Sequence, residues 1–420
     1  MIRRVIRFSA ENRYLVIAAS VVALLFAWWS MRTIPLDALP NLSDTQVIVY
    51  SRWDRSPDII EDQVTYPIIT ALLGAPKVKA IRGFSDFGFS YTYVIFEDGT
   101  DMYWARTRVL EYLSKIASQL PSGVKTELGP DASSVGWVFQ YALVDRSGKH
   151  APDELRSYQD WFLRYAIQSV PGVSEVATVG GQVRQYQVTV NPNALAGYKL
   201  SLQAVINAVR SGNNDVGGRL VELAGREYMV RGRGYVKSIH DIENLVLRSE
   251  GGTPVLVKDV AKVALGPEMR RGIADYNGQG DVVGGIVVMR EGENALNLIE
   301  RVKAKLEELK SALPSGVEVV TTYDRSELIG RAIDTVRDKL IEEMIVVSLI
   351  ILIFLWHLPS SIVPIITIPV SVTLAFIPMK LMGLNANLMS LAGIAISVGV
   401  LVDGAIVEVE NAYNKIYHWV

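Results

Sequence analysis

Residues 388–411 read LMSLAGIAISVGVLVDGAIVEVEN, the most apolar stretch of the chain, and an aspartate, Asp403, sits inside it. At about 1.5 Å per residue, Asp403 lies roughly 22 Å along a helix begun at Leu388, where hydrocarbon still surrounds it. A carboxylate at that depth costs roughly 2.5 to 3.5 kcal/mol on insertion scales, so one that persists generally faces a protein interior or an ion path. Two readings stand for Asp403: a functional carboxylate, or one near enough to the helix end to reach water, as Glu408 and Glu410 would. Under either reading the stretch crosses a bilayer, which takes about 20 apolar residues.

Three further blocks have the same character: Tyr14 to Ile34, Glu343 to His357, and Ile362 to Met382. The uncharged run of the second, Met344 to Trp356, is short, but Leu340, Ile341 and Leu358 flank it and the third block needs a return path. Half of the 420 residues are hydrophobic and they gather in these blocks. The expected fold class is therefore an α-helical transmembrane domain of four spans, in contact with membrane lipid, around a large polar middle. Arg3, Arg4 and Arg7 precede the first span, and Trp28 and Trp29 near its far end suit an interfacial belt. These features favour an uncleaved anchor over a signal peptide and put the N-terminus in the cytoplasm, with residues 35–339 on the far side. Lys415 and His418 then return inside. The absence of cysteine leaves the exported region without disulfides, and a net charge of −2 gives no reason to expect nucleic acid.

The exported region alternates β-rich runs with amphipathic helices. TQVIVY reads as a strand, Ser56-Pro57 opens the helix of IIEDQVTYPIITALLG, and VKAIRGFSDFGFSYTYVIFEDG reads as a strand pair. Residues 101–120 follow as a helix, and VKTELGP starts a closing strand. Strand, helix, strand, strand, helix, strand is the order of a ferredoxin-like unit. A second unit begins with VFQYALVD, the helix DELRSYQDWFLRYAIQSV, and the pair VSEVATVGG and QVRQYQVTVN. Its remainder appears only after Gly280, as VVGGIVVM, NALNLIERVKAKLEELKSAL and VEVVTTYD. The segment from about Pro192 to Met269 thus reads as an insertion. From Arg325 a helix runs into the second span without a break, which makes it a stiff lever.

Chemistry-bearing constellations are few. NGQGDVVGG lacks the lysine and serine of a P-loop. His150 and His240 have no ligand-like spacing, and four scattered histidines support no Ser-His-Asp arrangement, so no enzymatic activity is expected. With no cysteine and ten methionines, methionine is the available soft ligand for an ion such as Cu(I), although a methionine in a membrane helix is usually packing.

The strings PLDALPNLSDTQVIV, QVTYPI, IRGFSDFGFSYTYVIFEDGTD, YWARTRVLEYL, ELGPDASSVGW, YALVDRSGKH, DVAKVALGPEMRRGIA, VTTYDRSELI and GLNANLMSLAGIAISVGVLVDGAIVEVENA occur in order from end to end. On them the chain resembles the resistance-nodulation-division (RND) transporters, in the heavy-metal efflux branch and most closely the Cus-type copper and silver pumps. The resemblance implies a homotrimeric inner-membrane pump of Gram-negative bacteria. It would export metal ions on the proton gradient, with a periplasmic adaptor and an outer-membrane channel as partners and no cofactor. It implies the division 1–36 (leader and first span), 37–132 (first porter subdomain), 133–191 and 272–330 (the two parts of a second), and 192–271 (inserted docking subdomain). Residues 331–358, 361–382 and 387–411 would be the other spans and 412–420 the chain end.

By the same resemblance Asp403 matches the membrane aspartate of the proton relay, and Glu410 is either a relay member or a helix-end acid. Met269 and Met389 match methionines of a transient metal relay; Met389 precedes Asp403 by 14 residues, nearly the same helix face. Leu401 and Glu408 replace two further relay methionines. Ser397 stands where the zinc and cobalt branch carries an aspartate, which favours Cu(I) or Ag(I) over divalent cations. The remaining alternatives are an exporter of Zn, Co or Cd and a non-transporting membrane-anchored scaffold or sensor. Family members have twelve spans, so the chain is expected to be a truncated gene or an incomplete record whose missing C-terminal half carries the cation that pairs with Asp403.

Overall fold

Alternation decides the outer region. In the computed structural model, which describes residues 7–9, 11–250, 252–270, 272–355 and 358–417, QVIVYSR forms β1 (Gln46–Arg52) with every second side chain buried. A helix over residues 57–72 (α2) follows the membrane helix α1 (Arg13–Thr33) and that strand; it is α-helical at Pro57–Ile60 and Tyr66–Leu72 and widens to a π-turn at Glu61–Thr65. Ser56 stands at its N-cap without a side-chain capping bond, and Pro57 supplies the preset φ of a first helical residue. β2 (Val78–Asp86), β3 (Phe89–Phe96), α3 (Met102–Ile116) and β4 (Lys125–Leu128) complete the unit. Asp101 caps α3 by accepting from the Trp104 N–H at 2.7 Å. The sheet order is β2-β3-β1-β4, that of a ferredoxin-like fold. Val47, Val49, Ile60, Val64, Ile68, Phe96 and Val109 form its core between one sheet face and the helices.

The second unit repeats this with a break. It comprises β5 (Trp137–Asp145), a helix over 152–168 (α4) with a π-turn at Gln159–Leu163, and β6 (Val173–Gly180). β7 (Arg184–Val190), α5 (Pro192–Gly197), α6 (Leu202–Gly212), β8 (Val216–Leu223), β9 (Arg226–Gly232), α7 (Ile239–Glu243), β10 (Val246–Glu250), β11 (Thr253–Leu256), α8 (Val257–Val260) and β12 (Ala261–Pro267) intervene. β13 (Val283–Met289), α9 (Ala295–Leu309) and β14 (Val317–Asp324) then close a sheet of order β14-β5-β13-β6.

One strand differs from the sequence reading, which paired QVRQYQVTVN with VSEVATVGG. That segment, β7, pairs with β12 outside the sheet, from Ala261 opposite Val190 to Pro267 opposite Arg184, and β13 takes the place beside β6. The cause is burial. β7 presents polar residues along most of its length, whereas all seven residues of β13 are buried. Gly284 and Gly285 fit β13 against β5: a Cβ would lie 2.6 Å from the Tyr141 carbonyl oxygen at the first and 2.4 Å from the Tyr141 ring at the second. The chain therefore leaves the second unit before residue 191, and Val188 and Val190 of β7 pack with Leu195, Val205 and Val260 of the inserted segment.

The remaining helices are α10 (Arg325–Leu355), α11 (Leu358–Leu381) and α12 (Leu388–Tyr417). Four spans were expected; among the described residues two helices, Arg13–Thr33 and Leu388–Asn411, are by themselves long and apolar enough to cross a membrane. α10 is one unbroken helix of 31 residues, about 45 Å long, but its first turns carry Glu327, Arg331, Asp334, Arg337, Asp338 and Lys339. Within α11 the residues Ile366–Leu381 form a shorter apolar helix among the described residues. Trp356 and His357 at the end of the expected second span, the leader arginines Arg3 and Arg4, and the end at His418 lie outside the described residues.

Candidate functional site

The N-terminus of α12 is fixed by its own sequence. The Asn387 side-chain carbonyl accepts from the N–H groups of Met389 (2.9 Å) and Ser390 (3.0 Å), while the Ser390 hydroxyl accepts from the Asn387 N–H at 2.8 Å. Four orphan N–H groups open any helix, and this reciprocal cap satisfies two of them. From there one face of α12 is covered. Ile394 packs with Ile34, Phe376, Met379 and Ala386, and Val398 packs with Val347 and Ile368.

The opposite face is bare. Met389, Ile396, Val400 and Val407 are each more than 60% exposed, and Asp403, Glu408 and Glu410 are exposed with them. At 100° per residue, Met389, Ile396, Asp403 and Glu410 fall within a stripe about 60° wide, so Met389 and Asp403 share a face as their spacing predicted. A Cβ added at Gly393, Gly399 or Gly404 would meet nothing within 4 Å. Among the described residues Asp403 has no hydrogen bond or ion pair. Ser397 turns its hydroxyl back to the Ile394 carbonyl at 2.7 Å. Leu401 is part of the uncovered surface.

Met269 lies elsewhere, just past the end of β12. Its side chain is exposed and lines a cavity of about 400 Å³ with Arg156, Gly180, Gln182, Glu268 and Arg270. Glu268 reaches Arg52 of the first unit at 3.8 Å, and Arg270 pairs with Asp281. The structure thus lines Met389, Asp403 and Glu410 along one face of α12, with Met389 about 21 Å from Asp403 along the axis, and leaves Met269 in the α/β region. His150 contacts Glu154 and the Ser315 carbonyl, and His240 contacts Glu243. Among the described residues no group of three His, Cys, Asp or Glu side chains could hold a metal.

Two polar features at the boundary between the α/β units and the membrane helices escaped sequence reasoning. Lys380 of α11 donates to the Thr33 hydroxyl and sits 3.2 Å from the Trp29 ring centroid, tying α11 to α1. Asp37 and Arg325 form an ion pair at 3.2 Å with side chains only 7% and 4% exposed. Arg325 also donates to the carbonyls of Val135 (2.7 Å) and Trp137 (2.6 Å). The partners are 288 positions apart, and no local pattern links them. A third polar node joins the two α/β units: Asp131 accepts from Tyr103 of α3 and Ser174 of β6 and pairs with Arg290. Burial opposes the charge on Asp131, but hydrogen bonds from Ser174 and Tyr103 outweigh it and hold the carboxyl below its ordinary range.

Two ferredoxin-like units, the second interrupted by an insertion, joined to membrane helices of which one bears an uncovered carboxylate, define a class of membrane transporter. A family profile described as the AcrB/AcrD/AcrF family matches residues 5–419. The chain belongs to that family, in the heavy-metal efflux branch of the RND transporters. It is 54% identical over its full length to the putative cation efflux system protein SilA of Salmonella typhimurium and to the cation efflux system protein CusA of Escherichia coli (strain K12). To the cobalt-zinc-cadmium resistance protein CzcA of Cupriavidus metallidurans it is 35% identical. A crystal structure of a heavy metal efflux pump superposes with a TM-score of 0.86 at 32% identity, over 98% of this chain and 41% of that one. The chain spans about 40% of the length of these curated relatives.

Proposed function

We propose that the chain is the N-terminal portion of a proton-driven inner-membrane exporter of Cu(I) or Ag(I). In this reading it crosses the membrane four times with a cytoplasmic N-terminus, assembles as a homotrimer, and passes ions to a periplasmic adaptor and an outer-membrane channel. The observation that carries the reading is the bare stripe of α12, where Asp403 lies in line with Met389 and Glu410. A lone carboxylate on an apolar helix invites a partner helix that neutralises or protonates it, and the glycines with open space beside them give that helix room to approach. Asp403 is the proton carrier, Glu410 the acid nearest the cytoplasmic end, and Met389 and Met269 are soft ligands passed in transit.

The preference for a monovalent soft ion is supported by Ser397, a non-acidic residue whose hydroxyl is already committed to the helix backbone. Identity of 54% to CusA and SilA against 35% to CzcA supports it also. The test is Asp403→Asn beside the unaltered protein as its host makes it, both scored for growth on graded silver, copper, zinc and cobalt salts and for the amount of protein in the membrane. Loss of resistance at normal protein levels is expected. Full resistance in that variant would overturn the proposal, and protection by the unaltered protein against zinc or cobalt alone would overturn the choice of ion.

A further inference from the structure

The four residues Pro35–Ala38 form a strap between the membrane helices and the second α/β unit, bonded on one side to the segment that opens α12 and on the other to the starts of α9 and α10. Ala386, just before α12, donates its N–H to the Pro35 carbonyl and accepts from the Asp37 N–H, both at 3.0 Å, and Leu388 donates to the Ala38 carbonyl at 3.2 Å. Leu36 and Ala386 thereby form a parallel β-bridge. On its other side the strap accepts at Leu36 from the N–H of Ala295, the first residue of α9, at 3.1 Å. Its Asp37 side chain binds Arg325, the first residue of α10, whose guanidinium also holds Val135 and Trp137 at the entry to β5.

We propose that the Asp37–Arg325 pair is the coupling joint of the transporter: these positioning residues transmit displacement of α12 to the second α/β unit and to α10. The proposal rests on the reading of Asp403 as the proton carrier. Asp403 lies about 24 Å along the same helix from the cap at Asn387. A helix is stiff along its axis, so axial movement at Asp403 reaches Ala386 undiminished. There it meets the half of the strap that is buried, Asp37 and Ala38, whose partners Ala386 and Arg325 are buried with them. Buried backbone bonds have no water to exchange with, so they move together or break. The guanidinium is suited to this role because its planar fork engages a carboxylate and two carbonyls at once, which an ammonium cannot reproduce.

Arg325→Lys is the informative variant, since it keeps the buried charge while losing the fork. In inside-out vesicles containing the protein as its host makes it, with Ag(I) as the probe, the number of protons moved per metal ion is measured. A coupling joint predicts that metal transport collapses while proton flux through Asp403 persists, so the ratio rises at least about fivefold. A merely structural role lowers both fluxes in proportion and leaves the ratio unchanged, which would overturn the proposal. A second measurement does not depend on transport: hydrogen exchange at residues 135–139 and 295–299, with and without Asp403→Asn. The substitution is expected to change exchange there at least about twofold in the wild-type background and to have no effect once Arg325→Lys is present. Persistence of the effect in the double variant, or its absence in the wild-type background, overturns the joint. Wild-type vesicles without metal-dependent proton flux overturn the proton-driven reading instead, and the exchange measurement then decides the joint alone.

Discussion

Removing Asp37 isolates one energetic claim about the boundary between membrane and α/β region. At 3.2 Å, and with an effective dielectric near 20, the attraction between Asp37 and Arg325 is worth about 5 kcal/mol. Desolvating the two ions consumes much of that, so the intact pair contributes little net stability. Asp37→Ala does not return the desolvation cost of Arg325, whose side chain is 4% exposed and keeps only the two carbonyls as partners. The expected loss is therefore about 3 to 5 kcal/mol, a rise of about two to four orders of magnitude in the open population. Asp37→Leu with Arg325→Met removes both charges and is expected to be more stable than either single variant. Pulse proteolysis in graded urea, on detergent-solubilised protein, reads the difference. A loss under about 1 kcal/mol for Asp37→Ala, or a double variant no better than the singles, would show that water reaches this pair and that the burial argument is wrong.

Other consequences are open to similar measurement. Tyr141, almost fully buried, donates to Gln159 at 2.9 Å, and Tyr141→Phe strands the amide oxygen in the core; a loss of about 1 to 3 kcal/mol is expected by the same proteolysis assay. Gly285→Ala puts a methyl group into the Tyr141 ring and is expected to cost about 1 to 3 kcal/mol, whereas Gly292→Ala, with open space but a φ of +81°, costs about 1. The pH dependence of the second unit follows from two groups. His150 is held above its ordinary value by the Ser315 carbonyl and Glu154, so its contribution is complete below about pH 6.5 and is lost as pH rises through the raised value. Asp145 is drawn down to about 2 by the Ser147 hydroxyl and the His150 N–H, so its contribution is present above about pH 4 and lost as pH falls towards 2. Thermal melts across pH should therefore fall off at both ends, and His150→Asn should flatten the upper one only.

Much of this architecture was legible in one dimension because it depends on periodicity. The alternation in QVIVYSR and the uninterrupted apolar run of α12 each specify an element from neighbouring residues alone, and the strand–helix order then admits few folds. The heptad spacing of Met389, Ile396, Asp403 and Glu410 likewise placed them on one face, since a helix converts sequence distance directly into angle. Which of two plausible strands sits beside β6 was a different matter. β7 and β13 both read as strands, and the choice falls to β13 because only a strand with no polar side and two glycines under Tyr141 fits between β5 and β6.

The sequence by itself determined that a carboxylate stands in the most apolar helix, that two ferredoxin-like units lie outside it, and which residues share the face of Asp403. Only the tertiary structure decided which face of α12 is covered, that Asp403 is left without a partner among the described residues, and that Asp37 meets Arg325 across 288 positions. The reason is physical. Secondary structure follows local periodicity, whereas a buried ion pair is selected by what the folded chain brings together and removes from water, and no local pattern records that.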